Sequence, residues 1–219
     1  MQKIKKKAKE FIMQLPPVKR RHDRYIQTLC ATYDKNRPTP SILSVNCAGG
    51  IISHYLGLRF LSPTVNLWID SRDFVKFACN LKAYLEHELM PVAQAEYPYP
   101  VGKLDDILIY FNHYKDFDEA KRKWDDRKTR IDYDNLYIIA DDISLNEDQM
   151  EALEQIACKR LVWFSAKERP NYHRSFWLKQ YAQEGKLGLY SVKSLGGYTG
   201  FEKEFHFAKW LNGDKDFRI

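Results

Sequence analysis

Residues 41–56 constrain the fold of this chain more than any other stretch. The first of them are mostly apolar and predict a buried strand over 41–46, and a helical pattern over 50–56 follows a pair of glycines. In open α/β sheets, ligands bind beyond the carboxyl ends of strands, where helix N-termini offer free N–H groups. Asn46, Gly49 and Gly50 are therefore candidate ligand-binding residues for a phosphate or another small molecule. A tight structural turn is the alternative, and an isolated glycine pair fits it better.

Similar units recur along the chain, where apolar runs alternate with helical patterns. Further strands are predicted over 64–69, 106–111, 136–140, 161–164 and 188–192. Helices are predicted over 3–14, 18–33, 71–89, 118–128, 147–157, 174–183 and 205–211. This alternation predicts an α/β fold with a largely parallel sheet. We divide the chain into a basic helical N-terminal segment, residues 1–38, and an α/β domain, residues 39–219.

The net charge of +6 belongs to one end of the chain. Residues 1–24 contain nine Lys and Arg against Glu10 and Asp23, a net charge of +7, which leaves −1 for the rest of the chain. A near-neutral body argues against nucleic-acid binding, because that function needs a basic patch on the folded domain. The basic arm instead fits peripheral contact with an anionic membrane, or a solvated helix without a partner.

Hydropathy bears on where the protein resides. No apolar run approaches the ~18 residues that suggest a transmembrane helix. The charged first residues also lack the apolar centre of a secretory signal. We therefore expect a cytoplasmic protein, with membrane association through the basic arm as an option.

The four cysteines are widely scattered, at positions 30, 47, 79 and 158, and none forms a CxxC pair. This spacing argues against a zinc site or a disulfide framework. Cys47 stands at the predicted helix N-terminus, where a lowered thiol pKa would favour nucleophilic catalysis. A small buried cysteine is the alternative, because no histidine partner is evident.

Polar residues follow the predicted strands where each one ends: Asn46 and Cys47, Asp70, Asn112 and His113, Asp141 and Asp142, and Ser165 and Lys167. The ends of parallel strands lie at one edge of a sheet, so we expect these residues to share a crevice. Turns also begin at strand ends and require polar residues, which is the simpler explanation for each of them.

Several of these residues suit specific chemistry. Asp70 is a candidate general base, although an acidic residue beside the helix start at Ser71 explains it equally. Asp141 and Asp142 are candidate ligands for Mg²⁺ or Mn²⁺, or the start of a loop before the helix cap at Asn146. His113 is a candidate proton shuttle, or a buried structural histidine.

Arg127 and Arg130 flank the end of the predicted helix 118–128. Arginine suits bidentate contact with phosphate or carboxylate groups, so both are candidate anion ligands. The acidic residues around them allow a solvated, mutually paired helix face instead.

Several ordered segments resemble the bacterial domain-of-unknown-function family 1919. They cover much of residues 40–185: 44–50, 61–64, 99–107, 113–114, 120–127, 130–131 and Asn135. The resemblance implies a Rossmann-like α/β fold and a role in exopolysaccharide or capsule biosynthesis. It also adds Gly102, Tyr114 and Asn135 to the candidate ligand-binding residues, together with Lys167 at a strand end.

We therefore expect a glycosyltransferase-like enzyme that acts on a sugar or sugar nucleotide. Asp70 or Asp106 would serve as the base with help from His113, and a divalent cation is an optional cofactor. One alternative is a non-catalytic carbohydrate- or partner-binding protein of the same pathway, in which tryptophans such as Trp68 stack on sugars. The other is a hydrolase or acyltransferase that uses Cys47.

Overall fold

The computed structural model describes residues 15–93, 96–194 and 197–219. The chain divides into two compact units. The first combines the residues up to Arg37 with Tyr55–Gly57 and Gly188–Ile219, and the second combines Pro38–His54 with Leu58–Leu187. The helix predicted over 3–14 lies outside the described residues.

The second unit contains every strand assigned in the described ranges. In chain order they are β1 Ser41–Ser44, β2 Trp68–Ile69, β3 Met90–Pro91, β4 Val101–Leu104, β5 Ile107–Tyr110, β6 Leu136–Asp141, β7 Arg160–Ser165 and β8 Ser175–Trp177. The α-helices within the described residues are α1 Pro16–Thr32, α2 Ala48–Tyr55, α3 Ser71–Cys79, α4 Leu81–Glu86, α5 Phe117–Lys128, α6 Glu147–Gln155 and α7 Phe207–Asn212.

Four of the strands form a parallel sheet in the order β1-β6-β7-β8. Every residue of β1 and β6 is buried, which agrees with the continuous apolar runs that the sequence shows there. Helices α3 and α6 pack beside this sheet, and their side chains join those of β1, β6 and β7 in one core that includes Leu43, Phe74, Ile138, Leu153 and Trp163. The prediction of an α/β fold with a parallel sheet is confirmed at this level.

The remaining strands form an antiparallel sheet in the order β2-β5-β4-β3, which the sequence analysis did not anticipate. Strand β4 turns directly into β5 through Asp105, whose φ of 52° permits the sharp reversal. So short a connection can only produce an antiparallel pair. The predicted strands 64–69 and 106–111 therefore contribute to this second sheet.

Other predictions differ from the structure at the end of the second unit. The predicted helix 174–183 is wrong, because β8 and a short 3₁₀ turn, Lys179–Tyr181, occupy this region. Backbone hydrogen bonds from Trp163 to Arg174 (3.0 Å) and from Leu178 to Ser165 (2.9 Å) attach β8 to β7. The pairing buries Phe176 beside Phe164, so sheet packing prevails over the helical spacing. The predicted strand 188–192 is absent, and the predicted helix 71–89 is interrupted at Asn80.

The first unit is built around α1 and the C-terminal helix α7. Helix α1 starts at Pro16, because proline is well accommodated in the first turn of a helix. Its Leu29 is buried, as are Phe205 and Trp210 of the C-terminal segment. None of the helices in the described ranges combines the length and apolarity that a membrane span requires.

Close packing explains Gly102, which the resemblance marked as a ligand-binding residue. A Cβ atom at this position of β4 would lie 2.7 Å from Cδ1 of Leu89 and 3.1 Å from Cε2 of Phe111. Both neighbours are buried, so neither can move away freely. The glycine therefore allows β4 to lie directly against the core.

We predict that the substitution Gly102→Ala lowers the free energy of unfolding by about 1–3 kcal/mol, because the added methyl group overpacks the core. Urea denaturation of both proteins measures the difference. Lys103→Ala is the matched control, since Lys103 is the exposed neighbour in the same strand and should change stability by less than about 0.5 kcal/mol. Equal stability of Gly102→Ala and the wild type would contradict this explanation.

Candidate functional site

The carboxyl edge of the parallel sheet carries a group of hydrogen-bonded polar side chains, which we call the aspartate cluster: Ser71, Asp141, Asp142, Ser165 and Arg169. Asp141 is buried and accepts hydrogen bonds from the Ser71 hydroxyl and from the backbone N–H of Ile143, the latter at 3.2 Å. Asp142 Oδ2 accepts bonds from Ser165 Oγ at 2.7 Å and from a guanidinium nitrogen of Arg169 at 2.9 Å. The side chain of Asp142 keeps 10% of its surface exposed.

These contacts bear on the predicted metal site at Asp141 and Asp142. One oxygen of each carboxylate already accepts two hydrogen bonds from protein groups. Within residues 15–93, 96–194 and 197–219, no three His, Cys, Asp or Glu side chains come together as metal ligands. The residues present thus do not form a ready site for Mg²⁺ or Mn²⁺, and metal binding stays a prediction.

The glycine pair lies in the first turn of α2 rather than before it, and N–H groups of this turn are bound by nearby side chains. The N–H of Ala48 donates to Asn46 Oδ1 at 3.0 Å, and that of Gly49 donates to Ser44 Oγ at 3.1 Å. A Cβ atom on Gly49 would lie 2.7 Å from Ser44 Oγ, and one on Gly50 would lie 3.0 Å from the side-chain oxygen of Asn66. Close packing of the turn therefore accounts for both glycines without a ligand.

Cys47 lies beside the same turn, but its environment does not favour a thiolate. Burial raises the pKa of Cys47 to about 11, although the side chain of Asn112 acts in the opposite direction. The thiol lies 3.8 Å from the backbone oxygen of Leu67, which accepts its hydrogen bond. The expected lowering of this pKa at the helix N-terminus is wrong, because loss of water around the sulfur outweighs the effect of the helix.

Arg127 is the most unusual charged residue of the second unit. Its side chain is buried, with 8% of the residue exposed. One guanidinium nitrogen donates to the hydroxyl of Tyr114 at 2.7 Å, and the guanidinium carbon lies 5.2 Å from the centre of the Phe60 ring. Among the residues that the structure describes, no carboxylate oxygen lies within 4.0 Å of this guanidinium. A buried cation without a carboxylate partner is a natural receptor for an anion.

The neighbours of Arg127 hold this arrangement in place. Arg130 forms an ion pair with Asp126 and donates to the backbone oxygen of Phe60 at 3.2 Å. Tyr114 in turn donates to the backbone oxygen of Val65 at 2.7 Å. Burial raises the pKa of Tyr114, so its hydroxyl stays protonated at neutral pH. We call Phe60, Tyr114, Arg127 and Arg130 the arginine cluster.

A series of contacts made by residues 65–71 runs from the arginine cluster to the aspartate cluster. Tyr114 contacts Val65, and Leu67, two residues further along, contacts Cys47. The N–H of Ile69 then donates to the backbone oxygen of Val45 at 2.9 Å, and Ser71 contacts Asp141. Residues 65–71 thus contact Tyr114 of the arginine cluster at one end, Cys47 in the middle and, through Ser71, Asp141 of the aspartate cluster at the other end.

Other predicted site residues have roles outside these clusters. Asp70 caps α3 by accepting from the N–H of Arg72 at 3.1 Å, as the simpler explanation proposed. Asp106 lies at the β4–β5 turn and accepts from Tyr84 at 2.6 Å and Lys76 at 2.9 Å. The hydrogen bonds from Tyr84 and then Lys76 lower the pKa of Asp106, so it is a weak base.

Three more predicted residues are placed by the structure as follows. Asn135 donates to the backbone oxygens of Pro38 and Thr39, both at 3.1 Å, and so fixes the entry of the chain into β1. His113 is exposed rather than buried. Lys167 is also exposed, and its N–H donates to Ser165 Oγ at 3.0 Å.

The first unit contains a residue that sequence reasoning missed. Glu202 is almost completely buried, and its Oε2 accepts from the N–H of Thr199 at 2.6 Å. Its Oε1 has no hydrogen-bond partner among the described residues and lies 3.8 Å from Nε2 of His22. Burial raises the pKa of Glu202. No local pattern marks this glutamate, because it is one of three consecutive charged residues, 202–204, and such runs usually lie at the surface.

The fold and the site define an α/β protein with a parallel sheet, a polar cluster at its carboxyl edge and a buried arginine that donates to a tyrosine hydroxyl. The chain belongs to the family described as "Domain of unknown function (DUF1919)", whose model matches residues 21–212. A relative in Haemophilus influenzae, described as an uncharacterized protein, is 34% identical over 175 residues. That alignment covers 78% of this chain and 84% of the relative.

We predict that Cys47 reacts slowly with iodoacetamide in the folded protein, because a thiol with a pKa of about 11 is about 0.1% thiolate at pH 8. Its rate should rise about tenfold between pH 8 and pH 9. Peptide mass spectrometry follows the labelling, with the exposed Cys79 of the same protein as the internal reference. Rapid labelling of Cys47 that no longer increases above pH 7 would contradict the assigned environment.

Proposed function

We propose that this protein is a transferase that acts on a sugar nucleotide in the assembly of bacterial surface polysaccharide. The supporting observation is Arg127, a buried guanidinium with no carboxylate oxygen within 4.0 Å among the described residues. The diphosphate of a sugar nucleotide supplies the missing negative charge. In this proposal the parallel sheet acts as a Rossmann-like nucleotide-binding platform, and the family resemblance supplies the polysaccharide context.

Each cluster has a role in the proposed reaction. The acceptor hydroxyl attacks the anomeric carbon of the donor sugar, and the bond from that carbon to the phosphate oxygen breaks. Arg127 stabilises the negative charge that develops on the leaving diphosphate. Asp142 accepts the proton of the attacking hydroxyl, because it is the partly exposed carboxylate of the sheet edge. Asp70 and Asp106 are less suitable bases, since both lie outside the aspartate cluster: Asp70 caps α3 and Asp106 lies at the β4–β5 turn.

Non-catalytic carbohydrate binding is the second candidate function. It is favoured by the hydrogen bonds that Asp141 and Asp142 already accept from protein donors, because these occupy oxygen lone pairs that a catalytic base would need. Release of nucleoside diphosphate in the presence of a glycan acceptor separates the two functions. Turnover that falls at least about tenfold in Asp142→Asn supports the transferase, whereas binding without any turnover supports the second candidate.

The basic surface of α1 supports a further proposal on location. Arg20, Arg21 and Arg24 line a groove of about 520 Å³ together with Pro16 and Pro17. All three arginines are exposed, and the first turn of the helix contains no acidic residue. We propose that this surface contacts anionic lipid headgroups, where lipid-linked acceptors reside.

We predict that sugar nucleotides stabilise the protein through Arg127. At ten times the dissociation constant, ligand binding adds about 1.4 kcal/mol and raises the melting temperature by roughly 3–6 °C. A thermal-shift screen with and without Mn²⁺ measures this effect. Arg127→Ala should abolish it, Arg127→Lys should weaken it because lysine lacks the bidentate fork, and the exposed Arg122→Ala is the matched control.

Two outcomes of this screen would contradict the proposal. The first is the absence of a shift with every sugar nucleotide in the wild type. The second is a shift in Arg127→Ala as large as that of the wild type. The melting temperatures without ligand show whether a variant has folded, and the lysine variant preserves the charge if the alanine variant fails to fold.

We predict that the protein binds vesicles that contain phosphatidylserine and not vesicles of phosphatidylcholine alone. Reversal of Arg20, Arg21 and Arg24 to glutamate should weaken binding by at least about tenfold, because each basic residue contributes roughly 1 kcal/mol at an anionic surface. Vesicle sedimentation at two salt concentrations measures the effect. Reversal of three exposed basic residues of the second unit, Lys103, Arg122 and Lys186, is the control of equal charge. Equal losses in both triple variants would contradict a specific α1 surface.

A further inference from the structure

Four aromatic side chains form a continuous group on the outer face of the antiparallel sheet, and we call them the aromatic platform: Trp68, Tyr97, Tyr99 and Tyr110. Trp68 of β2 and Tyr110 of β5 are direct cross-strand partners, and their rings stack with centroids 3.8 Å apart at 4°. Tyr97 contacts the Tyr110 ring edge-on at 5.0 Å. The indole N–H of Trp68 donates to the hydroxyl of Tyr99 at 3.3 Å.

The platform remains accessible, unlike most large aromatic residues of the second unit. Strand β5 alternates between buried and partly exposed residues, so Ile109 faces the core while Tyr110 faces outwards. Tyr97 is 44% exposed, whereas Trp124 and Trp163 are fully buried. Tyr97 is therefore the exposed ring of the group, and Trp68, Tyr99 and Tyr110 are half-buried beside it.

Polar groups surround the aromatic rings. Asp70 and Arg72 follow Trp68 in the chain, and both side chains are exposed at 39% and 58%. Burial raises the pKa of Tyr110 most, and the charges of Tyr97 and then Asp70 raise it further. The Asp70 carboxylate is therefore close enough to act on the Tyr110 hydroxyl. The surface thus combines aromatic faces with a carboxylate, a guanidinium and phenol hydroxyls. A sugar ring has the complementary character, with an apolar C–H face and a rim of hydroxyl groups.

The platform is close in the chain to the arginine cluster. Tyr114 of that cluster donates to the backbone oxygen of Val65, three residues before Trp68. Three residues span at most about 10 Å of extended chain. Tyr110 is likewise only four residues before Tyr114. Short segments of backbone therefore join the two groups of residues.

We propose that the aromatic platform is a subsite for the neutral sugar rings of a glycan. The inference rests on the proposed function for its ligand class, and it adds the place and chemistry of glycan recognition. A protein partner fits less well, because a stable interface buries about 800 Å² on each side, and Asp70, Arg72 and Lys103 interrupt the apolar surface close to the rings.

Titration with neutral oligosaccharides tests this proposal in the full-length protein. Saturation-transfer NMR detects the contact, and tryptophan fluorescence reports it through Trp68. Tyr97→Ala should weaken binding roughly three- to tenfold, as expected for the loss of one aromatic contact. Trp68→Phe should remove the fluorescence change and leave NMR binding detectable. Tyr133→Ala is the matched control, because Tyr133 is 38% exposed in the same unit but lies outside the platform.

The outcomes distinguish this inference from the proposed function. Glycan binding that is weaker in Tyr97→Ala and unchanged in Tyr133→Ala supports the subsite, even if no sugar nucleotide binds. Sugar-nucleotide binding that needs Arg127, without any glycan binding by the wild type, overturns the subsite and leaves the proposed function standing. Equal glycan binding by Tyr97→Ala and the wild type also overturns it. Self-association that Tyr97→Ala abolishes, in the absence of glycan binding, would identify the platform as a protein interface instead.

Discussion

Parallel pairing of β1, β6 and β7 is the constraint on which the rest of the second unit depends. Both faces of β1 and β6 are buried, so a shift of one residue in their register would exchange every side chain between two packed faces. Because the strands run in the same direction, their carboxyl ends meet at one edge. That edge collects polar residues from separate parts of the sequence, and the hydrogen bonds among them leave few of their polar atoms without a protein partner.

Arg127 places a buried positive charge in the second unit. A buried charge is unfavourable unless another group compensates it, and the neutral hydroxyl of Tyr114 and the ring of Phe60 do so only in part. An anionic ligand would complete the compensation, and its negative charge would be bound more strongly there than in water. In the proposed function, Asp142 would act on the reacting groups and the aromatic platform would contact the sugar rings.

Burial has different effects on the charge states of Cys47 and Arg127. Burial keeps the thiol protonated, with a pKa of about 11, and so removes the reactive form. The guanidinium remains charged in the same kind of environment, because its pKa is too high for burial to neutralise it. Burial therefore argues against Cys47 as a catalytic nucleophile, and it favours the proposal that Arg127 binds an anion.

The sequence by itself determined the local elements: the apolar runs of β1, β6 and β7, the capped helices α5 and α6, and the family to which the chain belongs. It also marked Tyr114, Arg127 and Asp142 by residue type. Only the tertiary structure decided which of these lie together, the antiparallel course of β4 and β5, and the strand at 175–177 that helical spacing concealed. The physical reason is that caps and periodicity act over a few residues, whereas burial, charge compensation and strand direction depend on partners distant in the chain.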